Sequence, residues 1–183
     1  MKKWLFFLSF FLVGCKFHLV KWRELEIKYL IRGAAEGVVV ERLKEHGWVW
    51  EFESKITRGY GKDYLPGHVV IHIDYWRKEG YKLVNGVRVL VPGKTLKEIT
   101  WWKALKATSF GGLVKTYLKM GYKSTGEKAF LGKKCLVLVK KGPFSLSVVY
   151  LWKELPFNMP LYRLEKSGDN YFEKKAIEIK EEK

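Results

Sequence analysis

The chain has 183 residues, with 35 Lys and Arg against 19 Asp and Glu, for a formal net charge of +16. Hydrophobic residues make up 48% and aromatics 16%, which excludes a disordered polyelectrolyte and fits one domain with a real core. Two cysteines exclude a disulfide framework, and the absence of Gln amid abundant Lys and Glu resembles the composition of heat-adapted proteins.

Lys2 and Lys3 open the chain with positive charge, and Trp4–Val13 is an apolar run broken only by Ser9. This run is about half the roughly twenty residues that a membrane-spanning helix needs. A cationic start, a short apolar stretch and a small residue before a cleavage point mark a secretory signal. The stretch ends in Leu12-Val13-Gly14-Cys15, which resembles the lipobox of bacterial lipoprotein precursors. The resemblance implies cleavage between Gly14 and Cys15, acylation of the Cys15 sulfur by diacylglycerol, and often a further palmitate-type chain. Residues 1–14 are then the signal peptide, 15–22 a lipidated tether and 23–183 a single domain. Two or more acyl chains give stable anchoring. Lys16 follows where enterobacterial lipoproteins kept at the inner membrane carry Asp, so the outer membrane is favoured, with the domain facing the periplasm. In a cytosolic protein this positive charge would point to nucleic acid. After export it meets anionic lipid headgroups or acidic envelope polymers instead, and no nucleic-acid partner is expected.

Leu25, Ile27, Tyr29 and Ile31 alternate with polar residues, the period of a half-buried strand. Gly33 and Gly37 bracket a turn before a second strand over Val38–Leu43. Trp48, Trp50 and Phe52 alternate with Val49, Glu51 and Glu53, giving a strand with one aromatic face. A loop around Gly59–Gly67 leads to a strand with Val69, Ile71, Ile73 and Tyr75 on one side and His72, Asp74 and Trp76 on the other. Asn85-Gly86 is a hairpin signal joining Tyr81–Val84 to Val87–Val91. Thr95 and Glu98 form a capping box that starts a helix over Leu96–Ala107, interrupted at Ser109–Gly112. A second helix over Leu113–Met120 stops at Gly121. Strands return over Phe130–Lys140, Phe144–Trp152, Leu161–Glu165 and Tyr171–Lys180, the last charged enough to suit a sheet edge. Strands, a helical middle and strands again predict an α+β fold: a curved antiparallel sheet, an unclosed half-barrel, packed against a central helical segment.

Gly126 through Cys135, then Val149-Tyr150-Leu151-Trp152 and Leu155-Pro156, resemble the corresponding strands of LolA/LolB-like half-barrel envelope proteins. Tyr75–Lys78 and Val89–Lys94 are compatible with the same layout. The resemblance implies an open barrel around helices, with an apolar concavity that holds acyl chains or packs a partner.

The residues themselves offer little catalytic chemistry. His68, His72 and Asp74 share a strand face, but His68 and His72 lie about 13 Å apart at about 3.3 Å per residue, too far for one zinc ion. A solvated outer face is the better reading, and neither metal nor other cofactor is expected. No nucleophile elbow, zincin helix or phosphate-binding glycine loop occurs. Cys135, flanked by Leu136, Val137 and Leu138, reads as a buried inert thiol. Trp101-Trp102 is adjacent on the predicted helix, so one ring faces outward and, beside Lys103 and Lys106, can dip into a membrane interface. Trp48, Trp50, Phe52, Tyr150 and Trp152 are either core or the wall of a ligand cavity, and the expectation is the wall. The chain therefore reads as a non-enzymatic, membrane-anchored envelope lipoprotein binding a lipid or other apolar ligand in a concave sheet. The alternative is a structural or assembly lipoprotein that docks an envelope protein partner through its sheet face.

Overall fold

The computed structural model describes residues 20–59, 64–89, 109–155 and 157–183. The signal peptide, Gly14 and Cys15, the capping-box helix and Trp101-Trp102 lie outside these residues.

Eleven strands follow in order: β1 (Glu24–Gly33), β2 (Glu36–Lys44), β3 (Val49–Arg58), β4 (Gly67–Asp74), β5 (Glu79–Val84), β6 (Val87–Val89), β7 (Lys123–Phe130), β8 (Lys133–Lys141), β9 (Ser145–Trp152), β10 (Tyr162–Ser167) and β11 (Asn170–Glu182). One helix, α1 (Phe110–Lys119), stands between β6 and β7 among the described residues. The strands make one unclosed sheet in the order β6-β5-β4-β3-β2-β1-β11-β10-β9-β8-β7, every pairing antiparallel. The predicted open antiparallel sheet is present, with one α-helix among the described residues.

Every neighbour in this sheet is also a neighbour in sequence except β1 and β11. Two meandering arms, β1–β6 and β7–β11, are joined by that one pairing, which matches Leu25 to Glu181 and Arg32 to Glu173. The open edges are β6 and β7. Strand β7 is exposed over most of its length and its register slips between Ser124 and Gly126, both of which discourage further strand addition. Strand β11 is therefore central, not the edge that its charge suggested. Its charges alternate with Phe172 and Ala176, so most of them face water while the apolar side is covered on both flanks.

The turns follow their residue chemistry. Asn85 and Gly86 both adopt positive φ (50° and 82°) between β5 and β6, as a two-residue hairpin demands. Leu131 and Gly132 do the same between β7 and β8 (49° and 72°), so the strand expected over Phe130–Lys140 begins at Lys133, and β7 before the turn is an additional strand. A Leu at the first turn position hides the signal that Asn85 displays. Ser109 accepts a hydrogen bond from the Gly112 N–H at 3.1 Å and caps α1, so the stretch read as an interruption is the helix start. Gly121, at φ 88°, follows the helix end as expected.

The core of the first arm lies on one face of the sheet. Leu25, Ile27, Tyr29 and Ile31 of β1 are fully buried there with Val39 and Leu43 of β2, Phe172 and Ala176 of β11, and Leu161. Val20 and Trp22, read as tether, belong to this core. A smaller cluster places α1 against the second arm, with Leu113 and Tyr122 on Leu138, Val149 and Leu151.

The opposite face of the first arm is an ionic lattice. Arg42 of β2 donates to Glu26 of β1 at 2.7 Å and to Glu53 of β3 at 3.4 Å. Glu26 also takes Lys180 of β11, and Glu53 pairs with His68 of β4 at 3.1 Å. Glu51 joins Lys44 at 2.8 Å and His72 at 3.2 Å, and the His72 ring stacks on Tyr81. His68 and His72 thus face different carboxylates on the sheet's polar side.

Candidate functional site

Cross-strand register determines which side chains share a surface. One row of partners runs Ile56–Gly37–Ile31–Lys174–Arg163–Val149–Leu138 from β3 to β8. Trp50 and Phe52 have the parity of Ile56, so they lie on the core face. Tyr150 and Trp152 have the parity opposite to Val149 and lie on the other side of their strand.

The five aromatics expected to form one wall make four separate sets of ring contacts. Trp50 and Phe52 are half-buried neighbours, with ring centroids 5.9 Å apart. Trp48 precedes β3, is buried, and meets Trp76 edge-on at 5.2 Å. Trp152 is buried against Trp22 at 4.7 Å, with Lys133 over its ring at 4.7 Å. Tyr150 joins Phe130 and Tyr162, at 5.7 and 4.8 Å. Trp50, Phe52, Tyr150 and Trp152 nonetheless pack in or against one buried cluster, and register decides which of them face the same open space.

Trp50 and Phe52 do line a cleft, of about 370 Å³. Its floor continues into Val69 and Ile71 of β4, and Tyr64 and Leu65 stand at its rim, Leu65 largely exposed. Tyr64 is braced by Phe172 at 4.9 Å. Glu41, Lys82 and Asn158 supply the polar groups. The volume falls toward the low end of the roughly 300–1,000 Å³ typical of small-molecule sites, and a mostly apolar lining with a few polar groups is their usual chemistry.

The polar groups are ordered. Register places Glu41, Phe52, Ile71 and Lys82 in one row across β2, β3, β4 and β5. Neighbouring strands lie about 4.8 Å apart, so the row spans roughly 14 Å with a carboxylate at one end and an ammonium at the other. Glu41 is already matched, by an ion pair with Lys174 in which both residues are buried. The Lys174 ammonium also sits 4.1 Å from the centroid of the Tyr29 ring. Burial, with the nearby Glu41 charge, holds the Tyr29 phenol well above its ordinary value and pushes Tyr75 up to about 12. Lys82, by contrast, forms no ion pair among the described residues and remains available at its end of the cleft.

Sequence reasoning missed Glu41, Tyr64, Leu65, Lys82 and Asn158. Glu41 left a signal, a charge at an inward position between Val39 and Leu43, and Lys174 leaves the matching one between Phe172 and Ala176. Tyr64, Leu65 and Asn158 come from loops, where no periodicity announces direction.

Cys135 is fully buried, its thiol donating weakly to the Lys133 carbonyl at 3.6 Å, and burial raises its pKa to about 11. Among the described residues no helix is long and apolar enough to cross a membrane.

No protein-family model matches the chain, and no curated protein does. Solved structures overlap it loosely. An uncharacterized conserved protein from Thermus thermophilus is 10% identical, covers 88% of this chain with 80% of its own, and superposes with a TM-score of 0.38. A domain assigned by name to outer membrane lipoprotein sorting, from Vibrio parahaemolyticus, is 8% identical over 87% of this chain and 86% of its own, with a TM-score of 0.24. Likeness at this level decides nothing about function, which rests on the chain's own residues.

Proposed function

We propose that the chain is a lipid-anchored envelope lipoprotein that binds, without catalysis, an apolar chain bearing an anionic head. The cleft on the core face of β3 and β4 is the observation that carries this reading. Trp50, Phe52, Val69 and Ile71 offer an apolar floor, and Lys82 at the end of the Glu41–Lys82 row offers a cation with no ion-pair partner among the described residues. An acyl chain laid over Phe52 and Ile71, with its carboxylate or phosphate at Lys82, satisfies both. Leu12-Val13-Gly14-Cys15 supports the anchor, and Lys16 favours the outer membrane.

Titration of the protein with a long-chain fatty acid, followed by tryptophan fluorescence, tests the cleft. Saturable binding that weakens about tenfold in Phe52→Ala and in Lys82→Ala is expected; no binding, or binding indifferent to both changes, overturns it. Intact mass of the mature protein tests the anchor. Acyl additions on an N-terminal Cys15 are expected, and an unmodified N-terminus elsewhere overturns it.

A further inference from the structure

The strand directions sort the turns into two ends. Trp22 enters β1 at one end, together with the β7–β8 turn and the 153–161 connection. The β8–β9 and β10–β11 turns, the start of β7 and the C-terminus of α1 gather at the other. At that far end the β8–β9 turn presents Phe144, 86% exposed, one of the large apolar side chains the fold leaves in water. Leu118 and Met120, at the end of α1, are also exposed. Lys119, Lys123, Lys140, Lys141 and Lys166 lie at the same end, all exposed, and none forms an ion pair among the described residues. The pieces touch: a side chain at Gly121 would meet the Lys140 stem at 3.7 Å, Lys123 pairs with Val139, and the Phe144 carbonyl accepts the Gly168 N–H at 3.1 Å. Asp169 is the acid in these turns; Glu165 nearby is held by Arg163.

The lattice of the first arm matches Arg42, Lys44 and Lys180 to carboxylates. At this end five exposed lysines without a carboxylate partner among the described residues share the surface with a projecting aromatic ring. They have the chemistry of an interfacial anchor, in which apolar tips enter the headgroup boundary while lysines meet anionic lipids.

We infer that this end of the sheet, with Phe144, Leu118, Met120 and the five lysines, docks onto the surface of an anionic phospholipid bilayer. The contact is independent of both the Cys15 anchor and the cleft. It lies at the end of the sheet away from Trp22, so it fixes how the domain leans on a membrane, which a tether alone does not.

The test is co-sedimentation of residues 15–183 carrying Cys15→Ser, so that neither an acyl group nor the apolar Trp4–Val13 segment contributes. Vesicles of phosphatidylglycerol and phosphatidylcholine are compared with vesicles of phosphatidylcholine alone. Binding is expected only to the anionic vesicles, weakening as salt rises. Lys140→Ala and Lys141→Ala should each lower partitioning about fivefold, and Phe144→Ala roughly tenfold, while the control Lys78→Ala/Lys175→Ala, away from this end, changes it less than twofold. Equal binding to neutral vesicles, an equal loss in the control, or capture by soluble polyphosphate with no capture by vesicles overturns the inference.

Discussion

Glu41 of β2 and Lys174 of β11 meet as an ion pair across β1, above the ring of Tyr29, with 5% and 6% of their surfaces exposed. Two charges taken out of water repay their desolvation only while both are present. Glu41→Ala should therefore destabilise the fold by about 3–5 kcal/mol, because Lys174 is left buried and unmatched. The double variant Glu41→Leu/Lys174→Met should recover most of that loss. Chemical denaturation of the three proteins checks this, and a double variant no better than the single one would show that the pair is not acting as a unit.

Trp50 and Trp152 should respond oppositely to the same change. Trp152 is packed on Trp22 in the core, so Trp152→Leu should cost about 2–4 kcal/mol and leave fatty-acid affinity per folded molecule unchanged. Trp50 is half-buried at the cleft, so Trp50→Leu should cost less stability and more affinity. Melting temperatures and binding isotherms on both variants separate the two roles.

Acid should loosen the ionic lattice. Burial alone would raise the pKa of Glu26, Glu51 and Glu53, but hydrogen bonds from Lys180 and Arg42, from Lys44 and His72, and from His68 and Arg42 hold each below its ordinary value of 4.5. A carboxylate whose folded pKa is depressed contributes stability that is fully present above its unfolded value. That contribution is lost as pH falls through the folded one. Stability should be flat in this respect down to about 4.5 and then decline. In Glu53→Gln the decline should be shallower, as urea midpoints across the acid range would show.

Cys135 should resist alkylation in the native protein and react quickly once unfolded. Burial raises its thiol from 9.0 to about 11, so the folded state holds the proton that the unfolded state releases. Because the folded pKa is the higher one, the contribution to stability is complete below 9 and is lost as pH rises toward 11. Labelling rates with and without denaturant, at neutral pH, provide the measurement.

Much of the strand pattern was legible because it rests on a two-residue period. Leu25 through Ile31 advertise a buried face, and Asn85-Gly86 advertises its turn. Leu131-Gly132 makes the same turn without the usual residue at its first position, so the hairpin and its first strand, β7, gave no signal. The position of β11 was hidden because its charges suggest an edge, while its place is set by long-range pairing with β1. The site was half legible for a related reason. Trp50 and Phe52 declared themselves as aromatics on one face, but their distance from Tyr150 and Trp152 depends on register summed over six strands, to which no local spacing gives access.

The pairing of β1 with β11 also governs how the molecule is assembled. Each arm of the sheet is a meander of adjacent hairpins and can form by short-range zippering. The join between them must wait for segments about 150 residues apart to find each other, and non-local strand pairing of this kind is slow. Until it happens, the apolar stripe of Leu25, Ile27, Tyr29 and Ile31 has one flank uncovered and Lys174 has not yet met Glu41. The nascent chain therefore carries its greatest aggregation hazard in its earliest strand, for as long as its last strand is missing. For a chain read as crossing a membrane before it folds, that delay is an advantage: the half that emerges first cannot lock prematurely into the finished sheet.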